Sequence, residues 1–195
     1  MEGFVTSIYS SKGGVGKSLI AANLAVDLAL ETKENVLVID FGQPFSSDIA
    51  RILNLSGVKR MAGLLPAADS ISPTILKSYA TRHDSGISCL SLTDGEPVAI
   101  GDKSVMDRVV MLLAKLQGIY RHIVLDLGVK YHPGIDTLLD KSGLIFIPFI
   151  PEMLSLQQAK NDLQLLKQLN YPKTKIRLIA NMFDKASGFN YEQVQ

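Results

Sequence analysis

The sequence predicts an α/β fold in which a mostly parallel central sheet is covered by helices on both faces. Short apolar runs alternate with segments of helical periodicity, and several of these runs are apolar throughout, as in strands buried on both faces. A glycine-rich turn follows the first apolar run and precedes the first helical segment. Alternating strands and helices of this kind form parallel sheets with right-handed crossovers.

Six apolar runs are expected to be strands. They cover residues 4–9, 36–39, 87–92, 122–127, 144–149 and 176–180. Sheets of this class bind their ligands at the carboxyl ends of the strands, so functional residues are expected just after these runs.

Between the strands, apolar residues recur three and four positions apart, which predicts amphipathic helices. These positions are Leu24 and Leu28; Val105, Val109, Leu112, Leu113 and Leu116; and Leu156, Ala159, Leu163, Leu166 and Leu169. Segment 64–88 is polar and irregular. It is either a short helical insertion that meets a partner or only a connection between two strands.

Length and composition fit one ordinary globular domain. Of the 195 residues 47% are apolar, and 20 basic residues nearly balance 19 acidic ones, with no sign of a tail that binds nucleic acid. The single cysteine, Cys89, excludes an internal disulfide or a cysteine-cluster metal site within one chain and is expected to be a small core residue. No leader precedes the first strand and no apolar stretch reaches the ~20 residues of a membrane span, so we expect a cytoplasmic protein.

Residues 10–18, Ser-Ser-Lys-Gly-Gly-Val-Gly-Lys-Ser, predict a phosphate-binding loop. They follow the P-loop pattern G-x-x-x-x-G-K-[ST] except at Ser11, which stands at the position of the first glycine. Lys17 would reach the β- and γ-phosphates of a nucleoside triphosphate, and the Ser18 hydroxyl would ligate Mg²⁺. A glycine-rich turn alone is common, but its place between a strand and a helix favours nucleotide binding.

The glycines of this loop, Gly13, Gly14 and Gly16, are expected to adopt positive φ angles and to turn their N–H groups towards a bound anion. A helix that begins at about Lys17 would add its unpaired N–H groups and the positive end of its dipole. The expected ligand is therefore ATP or a closely similar nucleotide.

Three polar residues close predicted strands at the edge where ligands are expected: Asp40, Asp126 and Asn181. A carboxylate near Ser18 is well placed to hold Mg²⁺ directly or through water. A single aspartate at a strand end more often caps the next helix or turn, but two beside one phosphate loop favour the metal. Residues 126–128, Asp-Leu-Gly, also have the form of a γ-phosphate sensor.

The segment Lys-Gly-Gly-Val-Gly-Lys-Ser at 12–18 resembles the deviant Walker A motif of the ParA and MinD superfamily, and the later landmarks fall in the expected order across nearly the whole chain. The resemblance is strongest to the CpaE/TadZ branch, the MinD-like ATPases of pilus assembly. The segments that carry this second likeness are 54–56, 63–66, 81–87, 123–127 and 151–156.

The resemblance implies a homodimer in which two subunits close face to face over two ATP molecules. Lys12 would be the signature lysine that reaches the partner's phosphates. Lys17 and Ser18 would contact phosphate and Mg²⁺ in cis, Asp40 and Asp126 would belong to the metal shell, and Asn181 would contact adenine. The expected catalytic residues are Lys12, Lys17, Asp40 and Asp126, the expected metal residues are Ser18, Asp40 and Asp126, and the expected nucleotide-binding residues are Lys12, Gly13, Gly14, Val15, Gly16, Lys17, Ser18, Leu19 and Asn181.

One position departs from the pattern of active members. They carry Asp-x-Asp after the second strand, whereas this chain has Asp40-Phe41-Gly42. Asp48 lies further along the same loop, but its offset is wrong for direct replacement and a solvated helix cap is the expected role. We therefore expect intact ATP binding with slow hydrolysis.

The resemblance implies an ATP-dependent switch that positions a pilus or secretion apparatus through a protein partner, in the cytoplasm or recruited to a membrane or cell pole. The alternative is a DNA-partitioning ATPase whose ATP-bound dimer binds nonspecific DNA. An iron–sulfur reductase on the same fold would need two bridging cysteines per subunit. A small-molecule kinase would need a substrate lid with arginines, for which the sequence offers no candidate.

Residues 1–195 are expected to be one P-loop ATPase domain, truncated at its polar C-terminal run 187–195. A membrane-targeting C-terminal helix or an N-terminal receiver-like domain, found in some relatives, would lie outside this sequence. His83, His122 and His132 lack the spacing of metal ligands and are expected at the surface or beside strands.

Overall fold

The computed structural model describes residues 2–42, 48–92, 98–99, 101–128 and 133–183. Its strands are β1 Phe4–Ile8, β2 Val36–Asp40, β3 Thr81–Arg82, β4 Ser88–Ser91, β5 His122–Asp126, β6 Leu144–Phe149 and β7 Ile176–Ala180. Its α-helices are α1 Lys17–Thr32, α2 Asp48–Ile52, α3 Pro73–Tyr79, α4 Lys103–Gln117, α5 Pro133–Lys141 and α6 Met153–Gln168, and its 3₁₀ helices are Met61–Ala67 and Lys173–Lys175.

The strands form one sheet in the order β3-β4-β2-β5-β1-β6-β7. All neighbouring strands are parallel except the pair β3 and β4, which is antiparallel. The predicted α/β class with a mostly parallel sheet is confirmed, and each of the six predicted strands is present. β3 was not predicted, because a two-residue edge strand leaves no periodicity to detect.

Helices cover both faces of the sheet, as predicted. One core cluster joins β-strand residues to α3, α4, α5 and α6, and the other joins them to α1 and α2. Alternate residues of a strand enter opposite clusters: in β2, Leu37 and Ile39 face the first and Val36 and Val38 the second. This two-sided burial explains why the strands are apolar without alternation.

Segment 64–88 is built of ordered elements, namely the end of the first 3₁₀ helix, α3 and β3. It is anchored by buried Leu76 in the larger core cluster, so it is a packed insertion as well as a connection between β2 and β4. Cys89 is buried in β4, as predicted. Among the described residues, no helix is long and apolar enough to cross a membrane.

The central strands are in register, so their carboxyl ends lie at the same level of the sheet. In the parallel ladders, Asp40 of β2 pairs with Asp126 of β5, and Asp126 also pairs with Ile8 of β1. The carboxyl ends of β1, β2 and β5 therefore lie side by side, and the loop that follows β1 starts there.

Candidate functional site

The loop between β1 and α1 has its turn at two glycines. Gly14 has a φ of 77° and Gly16 a φ of 87°, in the left-handed region that favours glycine. The expectation of positive φ at Gly13 is wrong, because Gly14 and Gly16 are the loop's two residues in this region. Two left-handed residues suffice to reverse the chain before the helix.

Gly16 is the N-cap of α1 and leaves the end of the helix open. As a glycine it has no side chain to accept a hydrogen bond from the first turn, and no acidic residue lies in that turn. The first N–H groups of α1, from Lys17 onward, thus remain available to an anion at the positive end of the helix dipole. Leu19, a predicted contact residue, lies in this turn with its side chain 47% exposed.

Asn181 fixes the other side of Gly16. Its Nδ2 donates to the carbonyl oxygen of Val15 (2.9 Å), and its own N–H donates to Phe149 O (2.8 Å). A Cβ atom at Gly16 would collide with Asn181 Nδ2. The side-chain amide of Asn181 therefore holds the loop at Val15 and Gly16. Its contact with adenine stays a prediction.

Lys17 is nearly buried, with 8% of its surface exposed. Its Nζ donates to the carbonyl oxygen of Lys12 across the loop (3.0 Å). Burial lowers the pKa of Lys17, while the negative charges of Asp126 and Asp162 act to raise it. The amino group is thus held inside the loop, where a phosphate at the helix end would meet it.

Asp40 and Asp126, predicted to share a metal shell, lie side by side on neighbouring strands. Asp40 is 1% exposed, and its carboxylate accepts hydrogen bonds from the N–H groups of Gly42 (2.7 Å) and Ile49 (3.2 Å). The backbone N–H of Gly42 therefore donates to the Asp40 carboxylate. Gly42 stands at the position where active relatives are expected to carry a second aspartate.

Asp126 is buried and incompletely paired. It is 4% exposed, and its Oδ1 has no hydrogen-bond partner among the residues that the structure describes. Burial, helped by the negative charge of Asp40, raises the pKa of Asp126 to about 7, although hydrogen bonding to Ser18 and the charge of Lys17 act to lower it. An orphaned carboxylate oxygen near a second carboxylate and a hydroxyl is a donor set that suits Mg²⁺.

Lys12 does not point into its own loop. Its Nζ forms an ion pair with Glu152 Oε1 (2.9 Å) just before α6, with the two side chains 27% and 48% exposed. Lys12 is therefore held at the surface by a residue of the same chain, within reach of solvent.

Ser11 is bound to α6. Its N–H donates to Asp162 Oδ2 (3.0 Å), its hydroxyl donates to Asp162 Oδ1, and Gln158 Nε2 donates to that hydroxyl. Sequence reasoning missed Glu152, Gln158 and Asp162. A signal existed for Asp162, since it lies three residues after buried Ala159 and four before buried Leu166, on the apolar face of a helix where a carboxylate is unusual.

Of the remaining predicted residues, Asp48 contributes a negative charge that helps to raise the pKa of Asp126, whereas two of the histidines lie in or beside strands. Asp48 begins α2 and its carboxylate lies 3.9 Å from Arg51 at the surface, in agreement with a solvated helix end. His83 contacts Ser85, and His122 pairs with Glu34 at the start of β5. His132 and residues 43–47 and 184–195 lie outside the described residues.

Residues 6–194 match the family model described as the CobQ/CobB/MinD/ParA nucleotide binding domain. The septum site-determining protein MinD of Helicobacter pylori is 25% identical over 195 residues, which cover 91% of this chain and 69% of that protein. The iron–sulfur cluster carrier protein of Methanocaldococcus jannaschii is 29% identical over 188 residues, which cover 93% of this chain and 59% of that protein. The chain thus spans only part of the length of both relatives.

Solved structures share the fold. A ParA family ATPase from Chlorobium tepidum superposes with a TM-score of 0.81 at 25% identity, covering 98% of this chain and 79% of that one. The MinC:MinD cell division protein complex of Aquifex aeolicus gives 0.75 at 22% identity, covering 98% and 75%. MinD of Pyrococcus horikoshii, complexed with Mg-ADP, gives 0.72 at 21% identity, covering 98% and 76%. The last two likenesses concern the fold alone.

Proposed function

Because the chain belongs to the CobQ/CobB/MinD/ParA nucleotide-binding family, we propose that it binds ATP with Mg²⁺ at the loop 10–18 and acts as a dimerising switch. The first turn of α1 and the amino group of Lys17 would hold the phosphates. The proposal is supported by the uncapped helix end and by the position of Lys17 inside the loop.

The observation that carries this proposal is the unpartnered Oδ1 of Asp126. A buried carboxylate that lacks a partner is costly, and a divalent cation at this place would remove the cost. Ser18, Asp40 and Asp126 would hold the metal, either directly or through water. When bound there, Mg²⁺ neutralises charge on the β- and γ-phosphates.

Lys12 gives the proposed switch its dependence on a second subunit. Its amino group faces Glu152 at the surface and not its own phosphate site, which leaves it free to reach the nucleotide of a facing subunit once the ion pair opens. A surface ion pair of this kind contributes only about 0–1 kcal/mol, so bound triphosphate can compete for the lysine.

Hydrolysis by the dimer is proposed to be slow. Gly42 offers no carboxylate near the attacking water, and its N–H is engaged with Asp40. A water-positioning or base residue is worth on the order of a hundredfold or more in rate, so its absence would keep the ATP-bound dimer closed for longer.

We further propose that the dimer positions a larger assembly, such as a pilus or secretion apparatus, from the cytoplasm. The support is the likeness of segments such as 151–156 to the CpaE/TadZ branch and the exposure of Met153 (72%) and Leu154 (74%) beside the Lys12–Glu152 pair. Two apolar side chains at this place offer a protein partner a contact that changes with the state of Lys12.

The test combines nucleotide titration with light scattering. Wild type is expected to bind Mg-ATPγS and to double its mass, Lys17→Ala to lose binding, and Lys12→Ala to bind but remain a monomer. If wild type fails to bind, or Lys17→Ala binds equally well, nucleotide binding at this loop is wrong. If Lys12→Ala dimerises like wild type, the switch through Lys12 is wrong, and ATP-dependent retention on nonspecific DNA would favour the partitioning function instead.

A further inference from the structure

The pairing of Ser11 with α6 is a structural feature that nucleotide binding by itself does not require. Asp162 is 2% exposed and accepts both the N–H and the hydroxyl of Ser11, while Gln158 donates to the same hydroxyl. A buried carboxylate is costly unless it is hydrogen-bonded, and Ser11 supplies both of these bonds. Ser11 and Asp162 therefore form a matched pair across 151 positions of sequence.

The contacts continue from Ser11 to the phosphate-binding lysine. The residue after Ser11 is Lys12, whose carbonyl oxygen accepts the Nζ of Lys17 at 3.0 Å. Asp162 thus fixes the backbone N–H and the hydroxyl of Ser11, the residue next to Lys12 in the chain, and the carbonyl of Lys12 holds the amino group of Lys17. The negative charge of Asp162 also attracts the Lys17 ammonium group.

We propose that Asp162 is a positioning residue of the phosphate-binding loop, which holds Ser11 from α6 and so fixes Lys12 and Lys17 before nucleotide arrives. The inference rests on the proposed nucleotide binding at this loop. Fixing the loop in advance saves the ordering cost at the moment of binding, so the expected benefit is in nucleotide affinity.

The first test measures nucleotide affinity together with stability. Asp162→Ala is expected to weaken the binding of Mg-ATPγS and of Mg-ADP alike by about tenfold, since both nucleotides carry the β-phosphate that Lys17 contacts. Asp162→Asn keeps an acceptor for the Ser11 N–H and is expected to restore affinity to within about twofold of wild type. Recovery by this isosteric variant separates positioning from the mere presence of a charge.

Two further variants keep the test decisive. Asp162→Leu replaces the carboxylate by an apolar group on the apolar face of α6, which favours folding, and is expected to lose affinity as Asp162→Ala does. Ser155→Ala is the matched control, because Ser155 is buried in the same helix and accepts a hydrogen bond from Ile150 N (3.0 Å) at its start. It is expected to lower the melting temperature without changing affinity.

A double-mutant cycle tests the pairing itself. Ser11→Ala removes the hydroxyl but keeps the N–H, so it is expected to weaken binding by only about threefold, and to add little when Asp162→Ala is already present. Independent effects of the two substitutions would contradict a matched pair.

The outcomes distinguish the two proposals. If wild type binds nucleotide, Lys17→Ala does not, and Asp162→Leu binds as tightly as Ser155→Ala, then Asp162 only stabilises the fold and the inference is wrong. If wild type itself shows no binding, the proposed function fails whatever Asp162 does.

Discussion

The two sides of the phosphate-binding loop differ in how completely their polar groups are paired. On the side that faces α6 and β7, Ser11 is bound to Asp162, and Asn181 is bound to the carbonyl of Val15. On the side that faces the sheet edge, Asp126 is buried with an oxygen that has no partner among the described residues.

On one side of the loop the chain itself supplies the hydrogen-bond partners. On the other side a partner for Asp126 is left to a ligand. On the paired side, Ser11 and Asn181 are held by hydrogen bonds within the chain, so their geometry does not depend on a ligand. The open side carries a buried carboxylate whose charge is poorly compensated, which destabilises the free protein. A cation bound at Asp126 would remove that cost. The strain of the buried charge in the free protein would therefore favour binding of the cation.

The strongest way to break the paired side is Gly16→Ala. The added Cβ would collide with Asn181 Nδ2, and the φ of 87° is strained for alanine. We expect nucleotide affinity to fall by about a hundredfold or more and the melting temperature to fall as well, as followed by titration and thermal unfolding. Gly57→Ala is the matched control, since Gly57 also has a positive φ but no atom within 4 Å of the added Cβ.

Asp126→Asn tests the cost of the buried carboxylate on the open side. The folded protein holds a proton on Asp126 up to a pKa of about 7, whereas the unfolded chain releases it near the ordinary value of 3.8. The folded state thus binds more protons between these values, so the stability of wild type is expected to fall as pH rises from about 4 to 7 and then to level off. The variant should lack this fall and be more stable than wild type at about pH 8, by roughly 2–4 kcal/mol.

Denaturant unfolding across this pH range measures the difference between the two proteins. Asp102→Asn is the control, because Asp102 is an exposed cap of α4 whose hydrogen bonds to Ser104 lower its pKa. Asp102→Asn should leave the pH dependence of the free energy of unfolding between pH 5 and 7 as it is in wild type, because exposed carboxyl groups titrate below this range. Equal pH dependence in wild type and Asp126→Asn would contradict the burial cost at this residue.

Glu152→Gln tests the contact that joins the loop to the start of α6. The substitution removes the charge that holds Lys12 in its own subunit, so dimerisation with Mg-ATPγS should tighten by about two- to fivefold, while the melting temperature barely changes. Sedimentation over a range of protein concentrations measures this. Glu34→Gln, which breaks a distant pair with Arg121, should leave dimerisation unaltered.

The smallest effect is expected for Asp48→Ala. Asp48 lies at the start of α2, with its carboxylate 3.9 Å from Arg51, and its expected role is that of a solvated helix end. The single-turnover rate of ATP hydrolysis should change by less than about twofold, whereas loss of a general base would lower it by about a hundredfold or more. A large loss of rate would show that Asp48 takes over the role that Gly42 cannot fill.

Sequence reasoning found six of the seven described strands and named Asp40 and Asp126 as candidates because both results depend on local patterns. Strand ends at Asp40 and Asp126 follow from apolar runs, and the beginning of α1 at Lys17 follows from the glycine-rich turn. On the paired side Asn181 was a candidate from the sequence, but Glu152 and Asp162 were missed, since they reach the loop only through tertiary folding. Asp162 carried a weak local sign, a carboxylate on the apolar face of α6, whose meaning depends on knowing that Ser11 lies opposite.

The contacts behind the loop also bear on when the site can form during synthesis. Ser11 is hydrogen-bonded to Asp162 and Val15 to Asn181. These partners lie 151 and 166 residues further along the chain. Closing such long loops is slow, and the ribosome makes these partners long after the loop itself. A growing chain would thus carry its complete glycine-rich motif long before the loop had the partners that hold it, and the contact with Asn181 could form only after β7 has been made.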